Sequence, residues 1–315
     1  LRKKKPNSLN NYRASLLKNV ITSGLISAGY LLLSFWIIGF KSDQLVLVAI
    51  FNTLFLVSGT TRKFIVGFSV FIIFWILFDY MKAFPNYRFN TVHIESLYNA
   101  EKQLFGITQD GKVYTPNEYW SIHGTTFLDL FSGFAYLCWI PVPLVFAGRL
   151  FYTNRQQFFY FSLSFLLINL IGFIGYYVYP AAPPWYVQQY GFAFNPATPG
   201  NTAGLGKFDQ FFNVAVFKGL YAKSSNVFAA MPSLHSAYPT LVLYYGLKYR
   251  MGIVNILFTV VTGGIWFAAV YSSHHYVLDV LAGIGCAVAG IFLFHYMKST
   301  RWFQQFLSHL MRLTA

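Results

Sequence analysis

Tyr276-Val277-Leu278-Asp279-Val280-Leu281-Ala282-Gly283-Ile284-Gly285-Cys286-Ala287-Val288-Ala289-Gly290-Ile291-Phe292-Leu293-Phe294-His295-Tyr296-Met297 is apolar at almost every position, with one carboxylate near its start and one imidazole near its end. A helix needs about 20 predominantly apolar residues to cross the hydrocarbon of a bilayer, and this run is long enough. Comparable runs recur upstream at 20–40, 43–60, 64–81, 126–148, 157–178, 230–247 and 252–271. Eight spans are therefore expected, the second being the weakest because it is short and contains Asn52. Composition agrees: 56% of the 315 residues are hydrophobic and 10% charged, against roughly 25% charged in soluble domains. The expected fold class is an all-α, polytopic membrane helical bundle, interrupted by two long polar connections at 82–125 and 179–229. The first run follows the basic stretch Arg2-Lys3-Lys4-Lys5 as a secretion signal would. It exceeds a signal core in length and lacks a small-residue cleavage site, so it is expected to stay as a helix. Cys138 and Cys286 are isolated in apolar stretches and read as small buried hydrophobes, not as a disulfide framework or metal cage.

Charge orients the bundle, because short cytoplasmic segments collect Lys and Arg. With the N-terminus inside, the inner segments hold 15 of the 23 basic residues: Arg2, Lys3, Lys4, Lys5, Arg13, Lys18, Arg62, Lys63, Arg149, Arg155, Lys248, Arg250, Lys298, Arg301 and Arg312. All nine acidic residues fall in outer loops or near the outer ends of spans. The net charge of +14 is then a basic face against anionic lipid, and no nucleic-acid partner is needed to explain it.

Ionisable side chains in or beside spans are costly to keep from water, so each is a functional candidate. His235, His274, His275 and Asp279 all lie at the outer ends of spans six to eight, which brings distant stretches to one membrane face. His275 and Asp279 are spaced i, i+4 and would share one face of a helix. An aspartate so placed can accept from one imidazole nitrogen and leave the other free to attack, the orienting role of a triad carboxylate. The same pair can equally be a structural cap at a helix start. His235 lies in Met231-Pro232-Ser233-Leu234-His235-Ser236 as the sixth span begins. Proline suits a first helical turn, and free N–H groups at a helix start attract phosphate, although a lone histidine packed at the interface is the commoner case.

Pro232-Ser233-Leu234-His235 resembles the P-S-G-H motif of the type-2 phosphatidic acid phosphatase superfamily, and His275-Tyr276-Val277-Leu278-Asp279 resembles its H-x-x-x-D motif, in the right order and separated by a pair of spans. Two departures narrow the comparison. Ala268 and Ala269 stand where the common third motif has Ser-Arg, and the K-x6-R-P motif is replaced by Tyr179-Pro180-Ala181-Ala182-Pro183-Pro184-Trp185-Tyr186. That element, with the doubled His274-His275, is similar to the catalytic subunits of fungal inositol phosphorylceramide synthases and their bacterial relatives. The likeness runs over about 80–300, including Leu97-Tyr98-Asn99-Ala100-Glu101-Lys102 and Tyr136-Leu137-Cys138-Trp139-Ile140-Pro141-Val142-Pro143.

The resemblance implies a six-helix catalytic core over 64–300, preceded by a basic segment and two accessory helices over 1–63 and followed by a short basic cytoplasmic tail over 301–315. It implies that His275, oriented by Asp279, attacks phosphorus while His235 protonates the departing alcohol, leaving a phosphohistidine. His235 then takes a proton from the acceptor, which is a lipid alcohol in transfer and water in hydrolysis. The expected activity is transfer of a phospho-headgroup, phosphoinositol by resemblance, from a membrane glycerophospholipid to a ceramide-like or other lipid alcohol. Hydrolysis of phosphatidate, phosphatidylglycerol phosphate or a polyprenyl diphosphate is the alternative, and a non-catalytic lipid-binding or transport subunit a further one. Without the motif arginines, the phosphate-binding cations are sought among Arg88, Lys102, Lys207, Lys218 and Lys223, with Lys207 and Lys218 first because they share the loop leading to His235. Each is otherwise a solvated loop charge. Ser233, His274, Tyr179, Trp185 and Tyr186 complete the expected substrate-binding set, the last three as a wall of the site or, more plainly, as interfacial aromatics. His93 and His123 are expected to be structural, and His295 and His309 to lie on the inner side. The scattered acidic residues offer no D-x-x-D-G motif, so no metal and no cofactor is expected. The active site should face the periplasmic, extracellular or luminal side, with the bacterial inner membrane the expected location.

Overall fold

The computed structural model of the chain describes residues 8–222 and 226–315, with side chains from residue 13 onward. Arg2, Lys3, Lys4, Lys5 and Lys223 lie outside the described residues. In chain order the helices and strands are α1 (Ser8–Ile38), α2 (Ser42–Val57), α3 (Gly59–Tyr80), α4 (Glu95–Phe105), β1 (Ile107–Gln109), β2 (Lys112–Tyr114), α5 (Pro116–His123), α6 (Thr126–Leu137), α7 (Pro141–Thr153), α8 (Arg155–Val178), α9 (Pro184–Tyr190), α10 (Gly206–Phe212), α11 (Val216–Ala222), α12 (Leu234–Lys248), α13 (Val254–Tyr271), α14 (Val277–Lys298) and α15 (Arg301–Thr314). The fold is the expected all-α polytopic bundle, and among the described residues six segments are long and apolar enough to cross a membrane: Arg13–Ile38, Gly59–Ala83, Thr126–Thr153, Arg155–Val178, Val254–Tyr271 and Val277–Lys298. The spans expected at 43–60 and 230–247 correspond to the shorter helices α2 and α12, of 16 and 15 residues.

The chain divides into two compact units, one of Leu1–Ala83 with Arg301–Ala315 and one of Phe84–Thr300. In the first, α2 packs between α1 and α3, and α15 lies on α3. Asn52 donates to Ser27 Oγ at 2.7 Å, so the amide that weakened the second span finds its partner on the neighbouring helix. Ser58 caps α3 by accepting from Thr61 N–H.

In the second unit, α12 sits among α7, α8, α13 and α14, while α6 packs on α13. The span expected at 126–148 is broken between α6 and α7 at residues 138–140. Pro141 opens α7 and has no N–H to carry the α6 ladder forward, and Pro143 follows in the same turn. Both polar connections fold into short elements. The first holds α4, a hairpin that turns on Asp110 and Gly111, both at positive φ, and α5, which starts on a Thr115–Glu118 capping box followed by Pro116. The second holds α9, α10 and α11. Ala181 ties the two connections together, bridging His93 on one side and Ala229 on the other.

Candidate active site

The turn His274-His275-Tyr276 joins α13 to α14 and folds back on α13, because the His274 and His275 N–H groups both donate to the Ala269 carbonyl, at 3.1 and 3.0 Å. Ala268 and Ala269, at the positions of the missing Ser-Arg, are fully buried and hold this turn through their carbonyls. Asp279 Oδ2 accepts from Tyr276 N–H at 2.9 Å and lies 3.6 Å from His275 Nδ1, slightly beyond hydrogen-bond length. His275 and Asp279 are both buried, the latter completely. The i, i+4 spacing therefore does place the two side chains together at the start of a helix.

His235 arrives on the first turn of α12. Ser233 N–H donates to the Asp279 carbonyl at 2.9 Å, and a Cβ at Gly283 would overlap the Ser233 carbonyl, so the bare glycine permits this close approach of α14 to the chain entering α12. The result is a 3.2 Å contact between His235 Nδ1 and His275 Nε2, between residues 40 apart in sequence. The same His235 Nδ1 meets the Tyr136 hydroxyl at 2.8 Å, and the Trp139 ring packs edge-on at 4.3 Å. Ser233 is fully buried and its Oγ accepts from Ser236.

His274 does not join this pair. It stacks on Tyr221 at 4.4 Å, and its Nε2–H donates to the Thr202 carbonyl at 2.9 Å, which leaves Nδ1 as the acceptor. Burial pushes its pKa down to about 3, so the ring is neutral near pH 7. The Tyr221 hydroxyl donates to the Tyr136 hydroxyl at 3.4 Å, extending a line of phenols away from His235. Burial pushes the Tyr221 phenol upward, which keeps it a neutral donor.

Two residues of the first connection grip the other side of the same turn. Glu101, fully buried, accepts from Val277 N–H at 2.9 Å and from Leu278 N–H at 3.1 Å. Burial pushes its pKa up to about 7 in spite of those two donors, which favour the charged form. Asn117 Nδ2 donates to the carbonyls of Val270 and His275, at 2.7 and 2.9 Å. Sequence reasoning singled out neither residue, nor Tyr136 or Tyr221. The available signal was that Tyr136 and Glu101 fall in stretches similar to the synthases.

The remaining candidates have partners of their own. Lys207 pairs with Asp129 at 3.3 Å, an aspartate that also accepts from the Tyr271 hydroxyl. Lys218 has an exposed side chain, while its backbone N–H is held by Asp209. Lys102 bonds the Tyr98 hydroxyl. Tyr179 stacks flat on His93 at 3.8 Å. Trp185 and Tyr186 are buried with Ile94, Ala182 and Phe228, and the Tyr186 hydroxyl donates to the Ala193 carbonyl. His123 stacks on Tyr119, and His295 lies near the end of α14 beside Lys248 and Tyr244. Among the described residues, no group of three or more His, Cys, Asp or Glu side chains is arranged to hold a metal ion.

No solved structure matches the chain. It is 45% identical over 293 residues to the phosphoinositol dihydroceramide synthase of Bacteroides thetaiotaomicron, covering 92% of this chain and 96% of that one. It is 27% identical over 259 residues to the inositol phosphorylceramide synthase catalytic subunit AUR1 of Saccharomyces cerevisiae, covering 79% of this chain and 60% of that one. The inositol phosphorylceramide synthase of Candida albicans is 25% identical over 264 residues, which cover 81% of this chain and 52% of that one. The family profile that matches, over residues 117–293, contains every histidine and carboxylate of the His235–His275–Asp279 cluster, and the chain belongs to the PAP2 superfamily.

Proposed function

We propose that this integral membrane enzyme transfers phosphoinositol from a glycerophospholipid to a ceramide-like lipid alcohol, with His275 as nucleophile, His235 as proton donor and acceptor, and Asp279 as the group that orients His275. The observation that carries the reading is the 3.2 Å approach of His235 Nδ1 to His275 Nε2, with Asp279 on the far nitrogen of His275, in a chain 45% identical to a phosphoinositol dihydroceramide synthase.

In the first step the His275 Nε2 lone pair forms a bond to phosphorus. The bond from phosphorus to the diacylglycerol oxygen breaks, and a proton from His235 goes to that oxygen. In the second step His235 takes the proton from the acceptor hydroxyl, whose oxygen bonds phosphorus as the N–P bond breaks and returns the electron pair to His275. The scheme needs one neutral and one protonated imidazole at once, and histidine is the side chain suited to both near neutral pH. Tyr136, 2.8 Å from His235, orients the ring that carries the mobile proton. The N-terminus of α12 supplies backbone dipole for the phosphate. Ser233, His274, Tyr179, Trp185 and Tyr186 act from within the walls of the site, and Lys207 and Lys218 as charges at its approach.

The N-terminus is cytoplasmic in this reading, and the histidines face the outer side of a bacterial inner membrane. Purified protein supplied with phosphatidylinositol and a ceramide should form diacylglycerol and a phosphoinositol-ceramide, and should release little headgroup when the ceramide is left out. Steady release of free inositol phosphate, unaffected by ceramide, would make the protein a phospholipid phosphodiesterase instead.

A further inference from the structure

Glu101 is a fully buried carboxylate on α4 that spends both oxygens on the first N–H groups of α14, 176 and 177 residues further along the chain. A buried carboxylate without partners is costly, and so are unmet N–H groups at a buried helix start. Here each deficit answers the other. The next N–H upstream, that of Tyr276, is taken by Asp279, so two carboxylates share the start of this helix, and both suit the positive end of its dipole. Asn117 holds the opposite polarity of the same turn by donating to the His275 carbonyl. The turn is thereby held from α13 at the His275 N–H, from α5 at the His275 carbonyl and from α4 at the two N–H groups that open α14. Glu101 lies upstream of residues 117–293, which the superfamily profile matches, so it is not part of what that profile describes.

We infer that Glu101 is a positioning residue for the reaction, fixing the start of α14 so that the His275 imidazole and Asp279 meet His235 in register, without itself touching substrate. The inference rests on the reading of the histidine pair as a phosphotransfer centre. A displacement of about 1 Å in a reacting group can cost about 10²-fold in rate, and two hydrogen bonds to consecutive amides are what hold this turn against such a slip.

The test uses the full-length protein in lipid nanodiscs with Glu101→Gln, which keeps the shape and one acceptor oxygen, and Glu101→Ala, which keeps neither. Turnover of phosphatidylinositol with ceramide should fall about tenfold in kcat for Glu101→Gln, the value of one charge-assisted bond. It should fall about 10²-fold for Glu101→Ala, with KM within about twofold of wild type in both and with the fall in kcat out of proportion to the loss in melting temperature. Amide exchange at Val277 and Leu278 should quicken in the same order. Full kcat in a folded Glu101→Ala would overturn the inference, as would equal losses in both variants that track melting and KM. Should wild type itself be inactive on these lipids, the proposed function fails, and amide exchange still decides the clamp: unaltered exchange at Val277 and Leu278 would overturn it.

Discussion

His235, Tyr136 and Glu101 owe their chemistry to neighbours 40 to 176 residues away in sequence. His275 and Asp279 were legible beforehand because their partnership is local, although His275 lies in the turn before α14 and meets Asp279 across the start of the helix, not along one of its faces. His235 became legible only through its motif, since nothing in its own surroundings says that α14 will bring a second imidazole to it. Tyr136 and Glu101 carry no periodic or motif signal of their own and acquire roles only when the loops fold. Glu101 also sets a pH dependence. Its ordinary value is 4.5 and burial raises it to about 7 in the folded protein. Between those values the folded state holds a proton that the unfolded chain has released, so this group's contribution to stability is full below 4.5 and is lost as pH rises through 7. His274, lowered from 6.5 to about 3, has the opposite slope and loses stability as pH falls through that window. The two partly cancel, so the measurement must be a difference. The unfolding free energy of wild type minus that of Glu101→Gln should decline by roughly 3 kcal/mol from pH 4.5 to 7, at about 1.4 kcal/mol per unit. A flat difference would mean that the carboxylate titrates in its usual range.

Among the elements, the long apolar helices were readable because bilayer thickness dictates their length, and the structure differs where a local feature intervenes. The prolines at 141 and 143 divide one expected span into α6 and α7. The chain before Leu234 is irregular, which shortens the span expected at 230–247. The short helices of the two polar connections were not visible, since α9, α10 and α11 have only seven residues each, too few to display a period. The meeting of α12 and α14 depends on Gly283, where an added Cβ would press into the Ser233 carbonyl and not into a side chain that can move aside. Gly283→Ala should therefore push the Asp279 and Ser233 backbones apart, costing about 1–3 kcal/mol as overpacking does and lowering activity by more than the stability loss alone would. Gly285→Ala on the same helix meets nothing within 4 Å and serves as the control. Equal activity in the two variants would show that this contact does not govern the site.

At the scale of the whole molecule, the apolar composition makes a membrane protein, and the proposed orientation gathers its basic segments on the side of the N-terminus. The orientation rests on 15 of the 23 basic residues falling in the segments that share a side with the N-terminus. In a Cys138→Ser, Cys286→Ser background, a cysteine at exposed Ser121 should react with an impermeant thiol reagent added outside intact cells, and one at exposed Ser299 should not. The reverse pattern would place the histidines in the cytoplasm. The folded bundle brings α6, α12 and α14 together, and in the proposed mechanism one imidazole then holds phosphorus while the other handles the proton. An inositol phosphodiester of an activated phenol needs no proton donor to depart, so it isolates the first of these acts. Incubated with the labelled analogue, His235→Ala should trap acid-labile, base-stable phosphate on the protein, and His275→Ala should trap none. Equal trapping in the two variants, or trapping on His275→Ala, would contradict the assignment of His275 as the nucleophile and turn attention to its neighbour His274.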